Sequence, residues 1–153
     1  MTMTTSNPLG SRTARDLVLL LARVGLGIIM IGHAALMHGL GGSLSGIGEM
    51  WAATAVPLPT LSGPAVVLFE YVGGAAMILG LGVPIVGVLM ALTMVGAWVF
   101  VHTSPLFSMD ANGPELVISL ALLSLVLAAL GSGRFGLDHL ITGRRGHRVV
   151  AGA

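Results

Sequence analysis

The chain has 153 residues, 55% hydrophobic and 8% charged, with a net charge of +1, no cysteine and no lysine among its basic residues. So small a chain is one domain at most, and no soluble domain of this size could hide that much apolar surface, so a bilayer is its setting. The composition excludes thiol, disulfide and cysteine-metal chemistry and Schiff-base catalysis, and basic residues confined to membrane flanks give no nucleic-acid surface.

Residues 1–15, rich in Thr, Ser, Asn and Arg, read as a disordered tail. Arg12 and Arg15 then lead into an apolar run from Leu17 to Met37. That run outlasts the roughly 7–15 residues of a signal-peptide core, so it reads as a retained first span over 16–38. Further spans follow at 63–81, opened by Pro64, at 84–102, and at 114–130. Each approaches the 17–25 residues needed to cross about 30 Å of hydrocarbon. The predicted fold is therefore all-α, a bundle of four transmembrane helices, with 142–153 as a basic tail. Only Gly82 and Val83 separate the second span from the third, which demands a tight antiparallel hairpin.

Six of the seven arginines (Arg12, Arg15, Arg134, Arg144, Arg145 and Arg148) lie at the two ends of the chain. The loops at 39–63 and 103–113 hold Glu49 and Asp110 but no Lys or Arg. The positive-inside rule then puts both termini in the cytoplasm and both loops outside. In the first outer loop, Leu44, Ile47, Trp51 and Ala55 recur at helical spacing before Val56-Pro57-Leu58-Pro59. This predicts a short helix lying in the interface, with Trp51 at headgroup depth. Ala76 with Gly80, and Gly87 with Ala91, stand four apart, a spacing that lets membrane helices approach closely. A histidine at the outer end of the first and third spans, and a glutamate in the second and fourth, hint at two tandem hairpins.

Ionisable groups inside a bilayer cost about 2.5–3.5 kcal/mol each on insertion scales and so turn inward toward partners. Arg23 and Glu70 lie at depths whose gap, on the order of 10 Å, two long side chains can nearly close. They are expected either to line an internal site, or to fix helix register, or, for Arg23, to reach the headgroups. Gly73, Gly74 and Met77 share the helical face of Glu70, which leaves room for a neighbouring helix or a flat ligand. A carboxyl there can hydrogen-bond a carbonyl oxygen or pass a proton. His33, His38, His102 and Glu115 fall in the outer third of their spans and would converge in a bundle. Two His and a carboxylate can bind zinc or iron, but no two of these ligands share the i, i+4 spacing of a helical metal motif, so no metal site is assigned. Glu115, just after Pro114, also suits the first turn of a helix by charge alone. After the last span, Gly131-Ser132-Gly133 stops the helix, and Arg134 and Asp138 are spaced to pair on a short surface helix.

An ordered set of residues from about 16 to 141 resembles the DoxX family of small four-helix membrane proteins. It comprises Ala22-Arg23-Val24-Gly25, Gly32-His33, Glu70-Tyr71-Val72-Gly73-Gly74, Leu79-Gly80-Leu81, His102, Asn112-Gly113, Glu115 and the 131–138 ending. Family members often carry a glycine and then a lysine after the histidine of the first span. Here Ala34 and Met37 stand in those places, beside His38. The resemblance implies membrane redox work, as in subunits similar to those of thiosulfate:quinone oxidoreductase, in a bacterial inner (plasma) membrane.

Three functions follow as expectations. The first is a membrane subunit that holds a quinone or similar lipid for a partner oxidoreductase, using Arg23, His33, Glu70, Gly73 and Gly74 with His102 and Glu115. The second is a non-enzymatic assembly subunit. The third is a small-solute or proton pathway, which four short spans would accommodate only as a homo-oligomer.

Overall fold

The computed structural model describes residues 8–107 and 113–141, with side chains from residue 12. Expectations for residues 1–7, Asp110, Asn112 and the 142–153 tail lie outside the described residues. All regular structure among them is helical: α1 (Pro8–Gly41), α2 (Leu44–Trp51), α3 (Pro59–Leu79), α4 (Val83–Phe100) and α5 (Glu115–Leu130), with a last helical turn at 137–141. Three helices are long and apolar enough to cross a membrane, at Arg12–Gly41, Pro59–Leu79 and Val83–Phe100. The fourth apolar helix, α5, has 16 residues and so spans about 24 Å. The chain is thus built of three to four apolar helices compatible with a membrane bundle.

Two boundaries differ from those expected. First, α1 begins at Pro8, so residues 8–15 are helical and not a loose tail. Proline suits a helix start because its fixed φ is already helical and its missing N–H has no partner there anyway. Second, α3 begins at Pro59, one turn before the predicted opening, and Pro64 lies inside it. The N-cap of α3 is Leu58, held at φ 50° in the left-handed region, where a side chain with a Cβ is strained. The extra turn places Glu70 near the middle of α3, eleven residues or about 16 Å from its start.

The helices pair as sequence neighbours. The closest packing is α1 on α3 and α4 on α5, with fewer contacts joining the two pairs. Glycine makes both close crossings possible. A Cβ on Gly27 would stand 2.5 Å from the Gly74 carbonyl oxygen, and one on Gly87 would stand 2.7 Å from that of Ser124. Backbones can approach so closely in a membrane only where no side chain intervenes. The buried stripe of α1 runs Leu19, Arg23, Leu26, Met30, Ala34, and that of α3 runs Gly63, Val67, Glu70, Gly74, Met77. Both follow the three- and four-residue steps of one helix face. Four methionines (Met30, Met77, Met90 and Met94) fill the centre between the pairs, together with Leu26, Leu120 and Leu127. The opposite faces remain apolar: Leu21 is 64% exposed, Ile85 70% and Leu122 59%. A water-facing helix would carry polar residues there, whereas lipid accepts these.

Helix α2 closes one end of the α1–α3 pair. Ser43 caps it, its side-chain oxygen accepting from the Gly46 N–H at 3.0 Å. Ile47 is fully buried and packs with Ala34 and Val67, flanked by Met37, Trp51 and Tyr71. Gly48 lies so near α3 that a Cβ there would meet the Thr60 Cα at 2.7 Å.

The α3–α4 hairpin turns through Gly80 (φ 69°) and Gly82 (φ 61°). The Leu81 N–H returns to the Ala76 carbonyl at 2.9 Å and the Gly80 N–H to the Met77 carbonyl at 3.1 Å. This is a Schellman ending, which favours glycine in the left-handed position.

The close α1–α3 crossing predicts that Gly27→Val lowers stability by about 1–3 kcal/mol, the usual cost of overpacking. Gly25→Ala, where a Cβ meets nothing within 4 Å, should be neutral or mildly stabilising. Thermal unfolding in detergent compares the two.

Candidate functional site

Glu70 points into the bundle and its side chain is 2% exposed. One of its carboxylate oxygens, Oε2, lies 2.9 Å from Nδ1 of His33 on α1, whose side chain is 42% exposed. The pair therefore joins α1 to α3 about one turn from the Gly27–Gly74 crossing, and has one buried and one accessible member. His33 Nε2 makes no hydrogen bond among the described residues. The Glu70 bond orients the ring, Nδ1 being the donor where Glu70 is ionised, and leaves Nε2 to exchange a proton or a hydrogen bond with something outside.

Arg23 does not join this pair. It lies ten residues before His33, about 15 Å along α1. Its guanidinium is 1% exposed and donates to three carbonyls: Ile78 at 2.9 Å, Met77 at 3.3 Å and Phe135 at 2.7 Å. The first two are carbonyls of the last turn of α3, that of Met77 also accepting the Gly80 N–H, and a cation there is favoured by the helix dipole. The expected Arg23–Glu70 charged pair is thus replaced by a cap on α3, because antiparallel packing sets His33, not Arg23, level with Glu70.

Gly73 and Gly74 are buried, but their bare faces are occupied. A Cβ on Gly73 would meet the Met90 and Phe69 side chains at 3.2–3.3 Å, and one on Gly74 would meet the Gly27 carbonyl at 2.9 Å. The room they make goes to neighbouring helices and not to a ligand.

The outer polar residues do not converge. His38 stacks edge-on against Tyr71, ring centroids 6.4 Å apart. Glu115 opens α5, as its charge predicts, and accepts the Phe107 N–H, tying the preceding loop to the helix start. His102 follows the end of α4, its N–H bonded to the Ala97 carbonyl at 2.8 Å. Among the described residues no three His, Asp or Glu side chains gather around a common point.

The expected Arg134–Asp138 pair is also rearranged. Arg134 Nε donates to Asp16 at 2.6 Å, while the Asp138 carboxylate accepts the Gly82 and Val83 N–H groups at 2.7 and 3.0 Å. Asp138 thereby caps α4, with its own N–H on the Gly80 carbonyl at 3.0 Å. Two orphan N–H groups at a helix start offer a carboxylate more than one exposed arginine does. Sequence spacing alone missed this because the partners lie some 55 residues apart.

The DoxX family model matches residues 18–103, more than half of the chain and the stretch that holds Arg23, His33 and Glu70. The chain belongs to the DoxX family. A relative of this DoxX chain in Bacillus subtilis (strain 168), named "Putative oxidoreductase CatD", is 33% identical over 134 residues, covering 86% of this chain and 93% of that protein. No solved structure matches the chain.

Separating the roles of the two buried charges gives a prediction. Arg23→Gln should cost about 3 kcal/mol, since several carbonyls lose a charged donor. Hydrogen exchange should accelerate at 76–83 and 131–138 in that variant while the amides around His33 and Glu70 stay protected.

Proposed function

We propose that this DoxX protein supports the redox chemistry of a partner oxidoreductase in a bacterial inner membrane, holding a quinone or similar flat lipid at the His33–Glu70 pair. The observation that carries the reading is the pair itself: a buried carboxylate bonded at 2.9 Å to a half-exposed imidazole in the middle of an apolar bundle. Ionisable groups at that depth are costly and mark functional positions by default. The name of the Bacillus relative supports a redox setting.

The donor set fits such a ligand. The imidazolium form of His33 would donate from Nε2 to a carbonyl oxygen and hand over that proton, the neutral ring would accept one from a hydroxyl, and Glu70 would hold the ring and stabilise its charged form. A quinone, when bound, supplies the electron-carrying group, and the partner enzyme exchanges electrons with it. Gly73 and Gly74 contribute indirectly, by letting Met90 and α1 pack close behind the pair. Arg23, His102 and Glu115 serve the frame in this reading. The protein crosses the membrane four times, with both termini on the cytoplasmic side, following the arginine-free loops. Helix α2 then lies at the outer interface.

Glu70→Gln should weaken binding of a short-chain quinone analogue to the purified protein about tenfold, the loss of one charge-assisted bond. Unchanged affinity in a folded variant would discard the assignment. If wild type binds no quinone and instead co-purifies in fixed ratio with another membrane subunit, the assembly role replaces it.

A further inference from the structure

A cavity of about 340 Å³ opens at the end of the bundle where α1 begins and α5 ends, remote from His33 and Glu70. Its lining has two characters. Leu19 on α1 and Pro84 on α4 form an apolar side, and Arg15, Arg134 and His139 contribute the basic groups. Ser132 and Gly133 add backbone to the wall. Ser132 is 6% exposed, yet neither its N–H nor that of Gly133 donates a hydrogen bond among the described residues. Buried backbone donors are nearly always paired, so the open one of buried Ser132, with that of half-buried Gly133 next to it beside a cavity, points to an acceptor that belongs there.

Two acids, Asp16 and Asp138, also line the cavity, but both are already engaged. Asp16 accepts Arg134 Nε at 2.6 Å and the Arg134 N–H at 3.4 Å. Asp138 accepts the two N–H groups that begin α4. Arg15 makes no hydrogen bond among the described residues, and it is solvent-exposed. The donors without a hydrogen bond are therefore the Arg15 guanidinium, which feels the Asp16 charge only through space, and the Ser132 and Gly133 N–H groups, set against an apolar wall at a bundle end.

We infer that this cavity binds the phosphate of an anionic phospholipid, with the glycerol and upper acyl chains against Leu19 and Pro84. Arginine forks match phosphate oxygens, and paired backbone N–H groups complete such a cradle. A site of this kind pins the protein to one leaflet at the end where Arg23, Asp16 and Asp138 lock the helices together.

Native mass spectrometry of the full-length protein in detergent, titrated with phosphatidylglycerol, tests the inference. Wild type should retain the lipid, Arg15→Gln should lower affinity about fivefold, and Arg15→Lys, which keeps the charge without the fork, should recover only part of it. Arg12→Gln, an exposed cation outside the cavity, should change nothing. Equal loss in Arg12→Gln would show diffuse charge attraction and overturn the site. Equal binding of phosphatidylcholine, or displacement of the lipid by millimolar inorganic phosphate, would overturn the anionic-lipid assignment. A melting curve for Arg15→Gln that matches wild type shows that binding, and not folding, has changed.

Discussion

One buried guanidinium holds three parts of this protein together. Arg23 projects from α1, donates to the Met77 and Ile78 carbonyls in the last turn of α3 and reaches Phe135 in the segment after α5. A charge inside a bilayer is tolerable only where the backbone supplies acceptors for it, and here the last turn of α3, closed by a Schellman turn at Gly80, presents them. Gly80 serves the arrangement twice. It adopts φ 69°, and a Cβ on it would stand 2.1 Å from Arg23 Nη1. Turn, cap and cation are therefore one unit, and Asp138 extends it by covering the start of α4 from the same segment.

This unit explains why Arg23 and Glu70 have different jobs despite being the two charged residues nearest the bundle centre. Each is satisfied by the element that antiparallel packing brings level with it: helix-end carbonyls for Arg23, His33 for Glu70. The Gly27–Gly74 crossing sets that register, since the backbones come so close there that the helices cannot slide without collision. The resulting His33–Glu70 pair sits where a polar group is most costly to keep, and it keeps one ring nitrogen open.

Much of this was legible in the sequence. The apolar runs, the two-residue hairpin at Gly82-Val83 and the arginine-free loops expose the helix order, because hydropathy and punctuation are local properties. That Glu70 shares a face with Gly73, Gly74 and Met77 follows from helical periodicity, and the structure buries all four. Long-range partners were not legible. Arg23 with Phe135, Arg134 with Asp16, and Asp138 with Gly82 are separated by 112, 118 and 56 residues. Nothing in spacing announces them, and the tempting local alternative of Arg134 with Asp138 loses to two helix-start N–H groups. Gly27 escaped notice for a similar reason, being one glycine among 23 until its opposite number on α3 is known. The start of α3 was misjudged because Pro64 imitates a helix opening that Pro59 supplies.

The two ends of the molecule are fastened unequally. At the Arg23 end, α1, α3, α4 and the last segment are stitched by several charged and backbone bonds. Toward the α2 end, the side-chain bond between α1 and α3 among the described residues is that of His33 with Glu70, beside the apolar seat of α2. Any separation of α1 from α3 at that end therefore requires the imidazole to part from the carboxylate.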